Sequence, residues 1–247
     1  IINMAECWDT GKLAAGKTKI INLSNNISSC HRMATACITA AAALLDSNMQ
    51  SSKPYINRDA VNKFTDEFVQ KLEGCKTGNE KRRLLSAVSV GRIVFFNDTI
   101  TQLASEIYVL PDKWGAVSDL ILSKINHAAA FRNWERITCY CSIRTPDKID
   151  HIIFPSKGIA ITSSNEFHPA KGTSLHMLHD LMPDIPKPVE EQMSLHLDKA
   201  AELIDMACKH VKQAKILHDE LEDFYIDAMV FSKVDSIYEK IKNEIAL

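Results

Sequence analysis

From Val189 to Leu247 the chain contains neither glycine nor proline. Those are the two residues that disfavour a helix interior most strongly, so a run of this length without either predicts helix throughout. Its apolar positions are Met193, Leu197, Ala200, Ile204, Ala207, Val211, Ala214, Leu217, Leu221, Phe224, Ala228, Phe231, Val234, Tyr238, Ile241 and Ile245. Steps of four and three alternate along this series, with extra threes near residues 214 and 231. The pattern is a heptad-like seam with local phase shifts. One unbroken helix of 59 residues would reach roughly 90 Å, well beyond the diameter of a domain in a chain this size. The segment must therefore fold back or reach out. His218-Asp219 and Ser232 are the expected breaks, with Asp219 and Ser232 as caps.

The rest of the chain fits the same bias. Glycine supplies only 8 of 247 residues, fewer than loop-rich β folds or glycine-rich nucleotide-binding folds need for their positive-φ turns. Residues 1–30 carry Asn and Ser runs that suggest loop or broken helix. A helix is expected over about Arg32 to Asn48, then a loop from Ser47 to Pro54. Asn57 can cap a helix bearing Val61, Phe64, Phe68 and Leu72, which Gly74 closes. Glu80 to Val90 fits another helix. Ile93 to Phe96 fits either a strand or a buried helix. Asp98 or Thr99 can cap a helix through Tyr108, and Pro111 fits the first turn of the next. That helix would present Trp114, Val117, Ile121, Ile125 and Ala128 on one face.

In the middle the period changes. Ile137 to Ile143 alternates as a half-buried strand does. Turn chemistry at Thr145-Pro146-Asp147-Lys148 leads to a strand over Asp150 to Phe154. Ser156-Lys157-Gly158 then leads to a third strand over Ile159 to Thr162. Connections this short favour an antiparallel meander. Thr173 is placed to cap a short helix ending at Met182, and Pro183, Pro186 and Pro188 form a stiff linker. The expected fold is α+β, mainly α. A helical lobe over residues 1–182 carries a small meander at about 136–162. A C-terminal helical segment over 183–247 forms a hairpin or an extended arm.

Charge is informative by region. The overall net charge is −2, which argues against a generally basic polymer binder. Up to residue 150, however, 19 Lys/Arg face 15 Asp/Glu, and beyond it 10 Lys face 16 Asp/Glu. All eight arginines lie in the first 144 residues. Such asymmetry marks an anion-binding part and an acidic partner-facing part. The seven cysteines are odd in number and scattered, the pattern of free thiols in a reducing compartment, so a cytoplasmic protein is expected. No apolar run reaches about 18 residues, so no membrane span is expected. The N-terminus shows no signal-peptide pattern.

Gly11-Lys12-Leu13-Ala14-Ala15-Gly16-Lys17-Thr18 matches the phosphate-binding pattern G-x-x-x-x-G-K-[ST]. In such a loop, backbone N–H groups wrap the phosphates. The lysine, here Lys17, meets the β/γ charge, and the hydroxyl, here Thr18, holds magnesium. The pattern requires a preceding apolar strand, whereas Ala5 to Thr10 is short and polar. A strand ending in aspartate, Ile93 to Asp98, is one residue out of register for the companion motif. A nucleotide-binding enzyme using Mg and ATP or GTP is therefore the alternative reading. His176 and His179 lie three apart, with His168 as a third metal ligand from elsewhere; in the absence of H-E-x-x-H, no metal site is assigned. No nucleophile motif is present, and no catalytic residue is assigned.

The arginines point elsewhere. Lys81-Arg82-Arg83 is followed by Arg92, and Arg132, Arg136 and Arg144 lie near Trp134 and Tyr140. Arginine beside aromatics suits phosphate contact and base stacking on single-stranded nucleic acid. The leading expectation is a non-enzymatic, nucleocapsid-like assembly protein without a cofactor. Its C-terminal helices would join copies into a homo-oligomer, and Lys81, Arg82, Arg83, Arg92, Arg132, Arg136 and Arg144 would contact RNA. A helical adaptor that binds only protein is the further alternative.

Overall fold

A computed structural model describes residues 3–144, 147–174, 178–182 and 184–245. In chain order the elements are α1 (Thr10–Ser52), α2 (Arg58–Lys71), β1 (Glu80–Arg83), β2 (Ser86–Ser89), β3 (Arg92–Phe95), α3 (Asn97–Leu103), β4 (Glu106–Pro111), α4 (Ala116–Phe131), β5 (Arg136–Tyr140), β6 (Ile149–Phe154), β7 (Ile159–Ser164), β8 (Thr173–Ser174), α5 (Leu178–Leu181), α6 (Lys187–Ala228) and α7 (Phe231–Ile245). Helices make up 62% and strands 17%, so the class is α+β, mainly α. Among the described residues no helix is long and apolar enough to cross a membrane.

Contacts divide the chain into two units, Thr35–Cys208 and the pair of segments Ile1–Ala34 and Lys209–Leu247. The expected boundary at residue 183 falls inside the first. This unit holds a six-stranded sheet of order β1-β5-β6-β7-β4-β8 and a β2-β3 hairpin. The expected meander is present: β5, β6 and β7 pair antiparallel in sequence. Parallel pairings extend it on both sides, β1 on β5 and β4 on β7.

β6 is buried at every position, as a central strand covered on both faces must be. One face carries Ile121, Leu122 and Ile125 of α4 with Val61, Phe64 and Phe68 of α2. Elsewhere in the unit, Ala41 and Leu45 of α1 pack with Met193, Leu197, Ala200 and Ile204 of α6. Buried Asn48 ties those two helices, donating to the Met193 carbonyl at 2.7 Å and meeting His196 Nδ1 at 3.0 Å.

Several local expectations are corrected. Glu80 to Val90 is not a helix but β1 and β2. Gly91, read as an interruption, lies in the Val90-Gly91 turn of the β2-β3 hairpin at φ +74°, a conformation glycine adopts without the Cβ penalty. The helix from Asn97 stops at Leu103, and Glu106 onward joins the sheet because Ile107 to Leu110 alternate with β7 partners. Pro111 ends β4 instead of opening a helix. Asp112 caps α4: its carboxylate accepts from the N–H groups of Trp114, Gly115 and Ser118 at 3.2, 2.9 and 2.7 Å. Thr173 lies in β8 instead of capping a helix, and among the described residues the helix that follows is Leu178–Leu181. The expected loop from Ser47 is helical through Ser52. Asn57 does cap α2, accepting from Ala60 N at 3.1 Å.

In the other unit α1 begins at Thr10, so the Asn/Ser run is helical. Asp9 caps it by accepting from Gly11 N and Lys12 N at 2.9 and 3.1 Å. The C-terminal break falls at Met229-Val230, after Asp219 and one residue before α7 begins, leaving Ser232 inside α7. Its cause is tertiary. The N-terminal segment supplies partners for the backbone groups a helix end leaves open. Val230 N donates to Cys7 O and Asp9 N to Ala228 O, both at 2.7 Å. The Trp8 and Tyr225 rings pack in a tilted pair, their centres 5.2 Å apart.

Candidate nucleic-acid interface

β1 is the sheet's edge strand, bonded on one side to β5. Its sequence, Glu-Lys-Arg-Arg, is charged, as exposed edges commonly are to prevent unwanted strand addition. Alternation then sorts its side chains. Beyond the strand end, a groove of ≈ 630 Å³ is lined by Arg82, Arg83, Leu84, Tyr140, Cys141, Ser142 and Arg144. No carboxylate is among its described lining residues. Three of the seven basic residues singled out in the sequence thus converge on one concavity.

Each is held differently. The Arg82 guanidinium lies 5.2 Å from the centre of the Tyr140 ring, a cation–π contact, and its Nε stands 3.5 Å from Glu80 Oε2. Arg83 donates to the Arg82 carbonyl at 2.7 Å. Among the described residues no carboxylate pairs with it. Arg144 is anchored: Nε and Nη2 meet Asp46 Oδ1 at 2.8 and 2.7 Å, and Nη2 also donates to the Leu45 carbonyl at 3.2 Å. Tyr140 donates to Glu80 Oε1 at 3.1 Å. Burial pushes the Glu80 carboxyl up, but the Tyr140 hydroxyl and the Arg136 and Arg82 guanidinium groups bring it below its ordinary value. Its oxygens therefore stay ionised and hold the arginine–tyrosine pair in place.

The other basic residues lie elsewhere. Lys81 pairs with Glu135 at 3.2 Å. Arg136 is buried, donates to Asn126 and to the Trp134 carbonyl, and lies 3.8 Å from Glu80. It is an internal strut. Arg132 pairs with Glu73 at 3.3 Å and sits 5.3 Å from the Trp134 ring. Arg92 lines a separate groove of ≈ 790 Å³ with Asp98, Glu166, Lys171 and Asp205, whose charges are mixed.

The Gly11–Thr18 pattern lies wholly within α1. Lys17 and Thr18 are exposed on a continuous helix, where backbone N–H groups are already bonded one turn back and cannot wrap a phosphate. Gly16 has another purpose. A Cβ there would stand 2.9 Å from the Phe224 ring, so glycine lets α1 and α6 approach closely within their unit. The expectation of a phosphate-binding loop is corrected on that geometry.

Sequence reading missed a buried polar cluster. Lys148 and Asp150 form an ion pair inside the sheet, at 5% and 0% side-chain exposure. His151 meets the Thr162 hydroxyl, and Ser163 lies 3.4 Å from Asp150. Asn165 Oδ1 accepts from Phe167 N and His168 N, so its amide nitrogen faces His168 Nε2 at 3.1 Å as donor. Burial pushes His151 down to about 3 and lowers His168 as well. Burial raises Asp150, but Lys148 and the two histidines take it far below the carboxylate range. A cavity of ≈ 20 Å³ bordered by Lys148, Asp150, Asn165 and His168 holds one water molecule at most. The signal for the cluster was Asp150-His151 within an otherwise apolar strand.

Of the histidines considered as ligands, His176 and the side chain of His179 lie outside the described residues. Among the described residues, His218, Asp219 and Glu222 bring ligand atoms within 4.8 Å of one another, all exposed on α6. Asp219 is engaged there by Lys215. No family model, curated protein or solved structure matches the chain.

Proposed function

We propose that the protein is a non-enzymatic, RNA-binding assembly protein whose β1-edge groove takes single-stranded RNA. The observation that carries this reading is that Arg82, Arg83 and Arg144 line one groove with Tyr140, with the Arg82 guanidinium on the Tyr140 ring. Arg83 and the exposed face of Arg82 offer phosphate contacts, and Tyr140 with Leu84 offers an apolar face for a base. Arg144, locked by Asp46, sets the floor of the groove. A groove at an exposed sheet edge suits a flexible single strand, which can follow the edge and turn its bases inward.

The assembly half of the reading rests on apolar side chains left exposed on α6 and α7, among them Met206, Ile226, Phe231 and Tyr238. The seven free cysteines support a reducing compartment, the cytoplasm. The closed Lys148–Asp150–His168 cluster, with room for one water, supports a structural role for these residues.

Fluorescence anisotropy with a labelled single-stranded RNA tests the proposal. Joint Arg82→Ala and Arg83→Ala substitution is expected to weaken binding at least tenfold, and Lys17→Ala to leave it unchanged. Absence of binding by the unaltered protein, or indifference to the double substitution, would sink it.

A further inference from the structure

α7 leaves an apolar seam that its own chain covers only in part: Val234 and Ile241 are half-buried, and Phe231, Tyr238 and Ile245 are exposed. Phe231, Val234, Tyr238, Ile241 and Ile245 follow steps of three, four, three and four, the a/d spacing of a heptad seam. None of the fifteen residues of α7 is buried. Phe231, Tyr238 and Ile245 are 63%, 61% and 80% exposed. The helix is nonetheless seated at its start, where Lys233 Nζ donates to Glu6 O at 3.1 Å and Val230 N to Cys7 O. Its seam is therefore presented on a fixed base.

The flanking charges indicate what covers it. Lys233, Lys240 and Lys242 balance Asp235, Glu239 and Glu244 within α7. A helix of zero net charge lacks the basic face that draws an amphipathic helix to anionic lipid. The two residues on one flank of the seam are Asp235 and Lys242, seven apart and opposite in sign. In an antiparallel pair of heptad helices, equivalent flanks face each other. Seating Tyr238 against the partner's Ile241 then places Val234 against the partner's Ile245. The same register brings Asp235 to the partner's Lys242, twice by symmetry. A parallel pair would instead set Lys242 beside the partner's Ile237 and gain no charge contact. Flanking charges of this kind set partner choice and orientation. Lys242 now lies 3.5 Å from Glu239 in an exposed pair, and such a pair is readily exchanged.

We infer that α7 pairs antiparallel with α7 of a second copy of this chain, through Tyr238 on the partner's Ile241 and Asp235 on the partner's Lys242. This rests on the assembly half of the proposed function and is independent of the RNA groove. The pairing is isologous, so it closes at a dimer.

Sedimentation equilibrium of the full chain tests it, with circular dichroism to verify helix content. The unaltered protein is expected to show a concentration-dependent monomer–dimer mass. Tyr238→Glu is expected to raise the dissociation constant at least tenfold. Asp235→Lys alone and Lys242→Glu alone, which oppose like charges twice, are each expected to raise it about tenfold. The double variant, and an equimolar mixture of the two single variants, are expected to recover dimerisation. A monomer at every concentration would overturn both this inference and the assembly reading. Self-association indifferent to Tyr238→Glu would overturn this inference and leave the assembly reading standing. Weakening by the single charge changes without recovery would refute the antiparallel register. Recruitment to phosphatidylserine vesicles by a chain that stays monomeric would show that lipid covers the seam.

Discussion

The Lys148 ammonium and the Asp150 carboxylate form a buried ion pair at the start of β6. Removing one partner leaves the other charge buried without compensation, which typically costs 3–5 kcal/mol. Asp150→Ala is therefore expected to lower unfolding free energy by about that amount in urea titration. Replacing the pair together, Lys148→Met with Asp150→Leu, is expected to recover most of the loss, since an apolar pair pays no desolvation. A double variant no more stable than the single one would mean that Asp150 acts chiefly through Ser163 or His168.

Acid is expected to destabilise the fold before it reaches ordinary carboxylates. His151 and His168 titrate below the ordinary histidine value in the folded chain, His151 near 3. In the unfolded chain both take up protons near 6.5, so the unfolded state binds more protons as pH falls through 6.5 towards 3. The lowered Asp150 carboxyl acts in the same direction from about its unfolded value of 3.9 downward. Unfolding free energy should decline steadily below pH 6.5. His151→Asn should flatten that decline. A stability curve flat between pH 7 and 5 would contradict the burial of neutral histidines.

Gly115 sits at φ +79°, and a Cβ added there would stand 2.7 Å from Arg144 Nη1. Arg144 cannot swing away without leaving Asp46 and the Leu45 carbonyl. Gly115→Ala is expected to cost about 1–3 kcal/mol in denaturant unfolding and to weaken RNA binding, because the groove's floor moves. Gly91→Ala, also at positive φ but outside the groove's lining, should cost stability without changing affinity.

The arginines should separate by role. Arg82 is 69% exposed and its pairing with Glu80 is on the surface, so Arg82→Ala should change stability by less than about 0.5 kcal/mol while reducing RNA affinity. Arg136 is buried against Asn126, Trp134 and Glu80, and Arg136→Ala should lower the unfolding midpoint strongly. Equal effects of the two on stability would undo the distinction between groove and strut.

Periodicity made the long C-terminal helices, α2, α4 and the β5–β7 meander legible, because each buries one face of a regular pattern. What escaped was set by distant partners. β1 reads as helix from Glu80-Lys81-Arg82-Arg83 alone and becomes a strand by pairing with β5. The break after Ala228 has no local cap signal, since Cys7 and Asp9 supply its hydrogen bonds from across the sequence. The Gly11–Thr18 pattern misled because its glycines serve an N-terminal turn capped by Asp9 and a close approach to Phe224. At the groove, Arg82, Arg83 and Arg144 were legible as residue types beside an aromatic. That Arg136 turns inward was not legible, since burial depends on Asn126 in α4.

The most direct measurement is the salt dependence of RNA affinity for the unaltered protein and for the Arg82→Ala, Arg83→Ala variant. The two guanidinium groups that offer phosphate contacts, Arg82 and Arg83, correspond on a single strand to a slope of log K against log salt of about −1.4. Removing both should bring the slope close to zero, with affinity falling at every salt concentration. A slope near zero for the unaltered protein, or one that the double substitution leaves unchanged, would contradict the assignment of RNA to this groove.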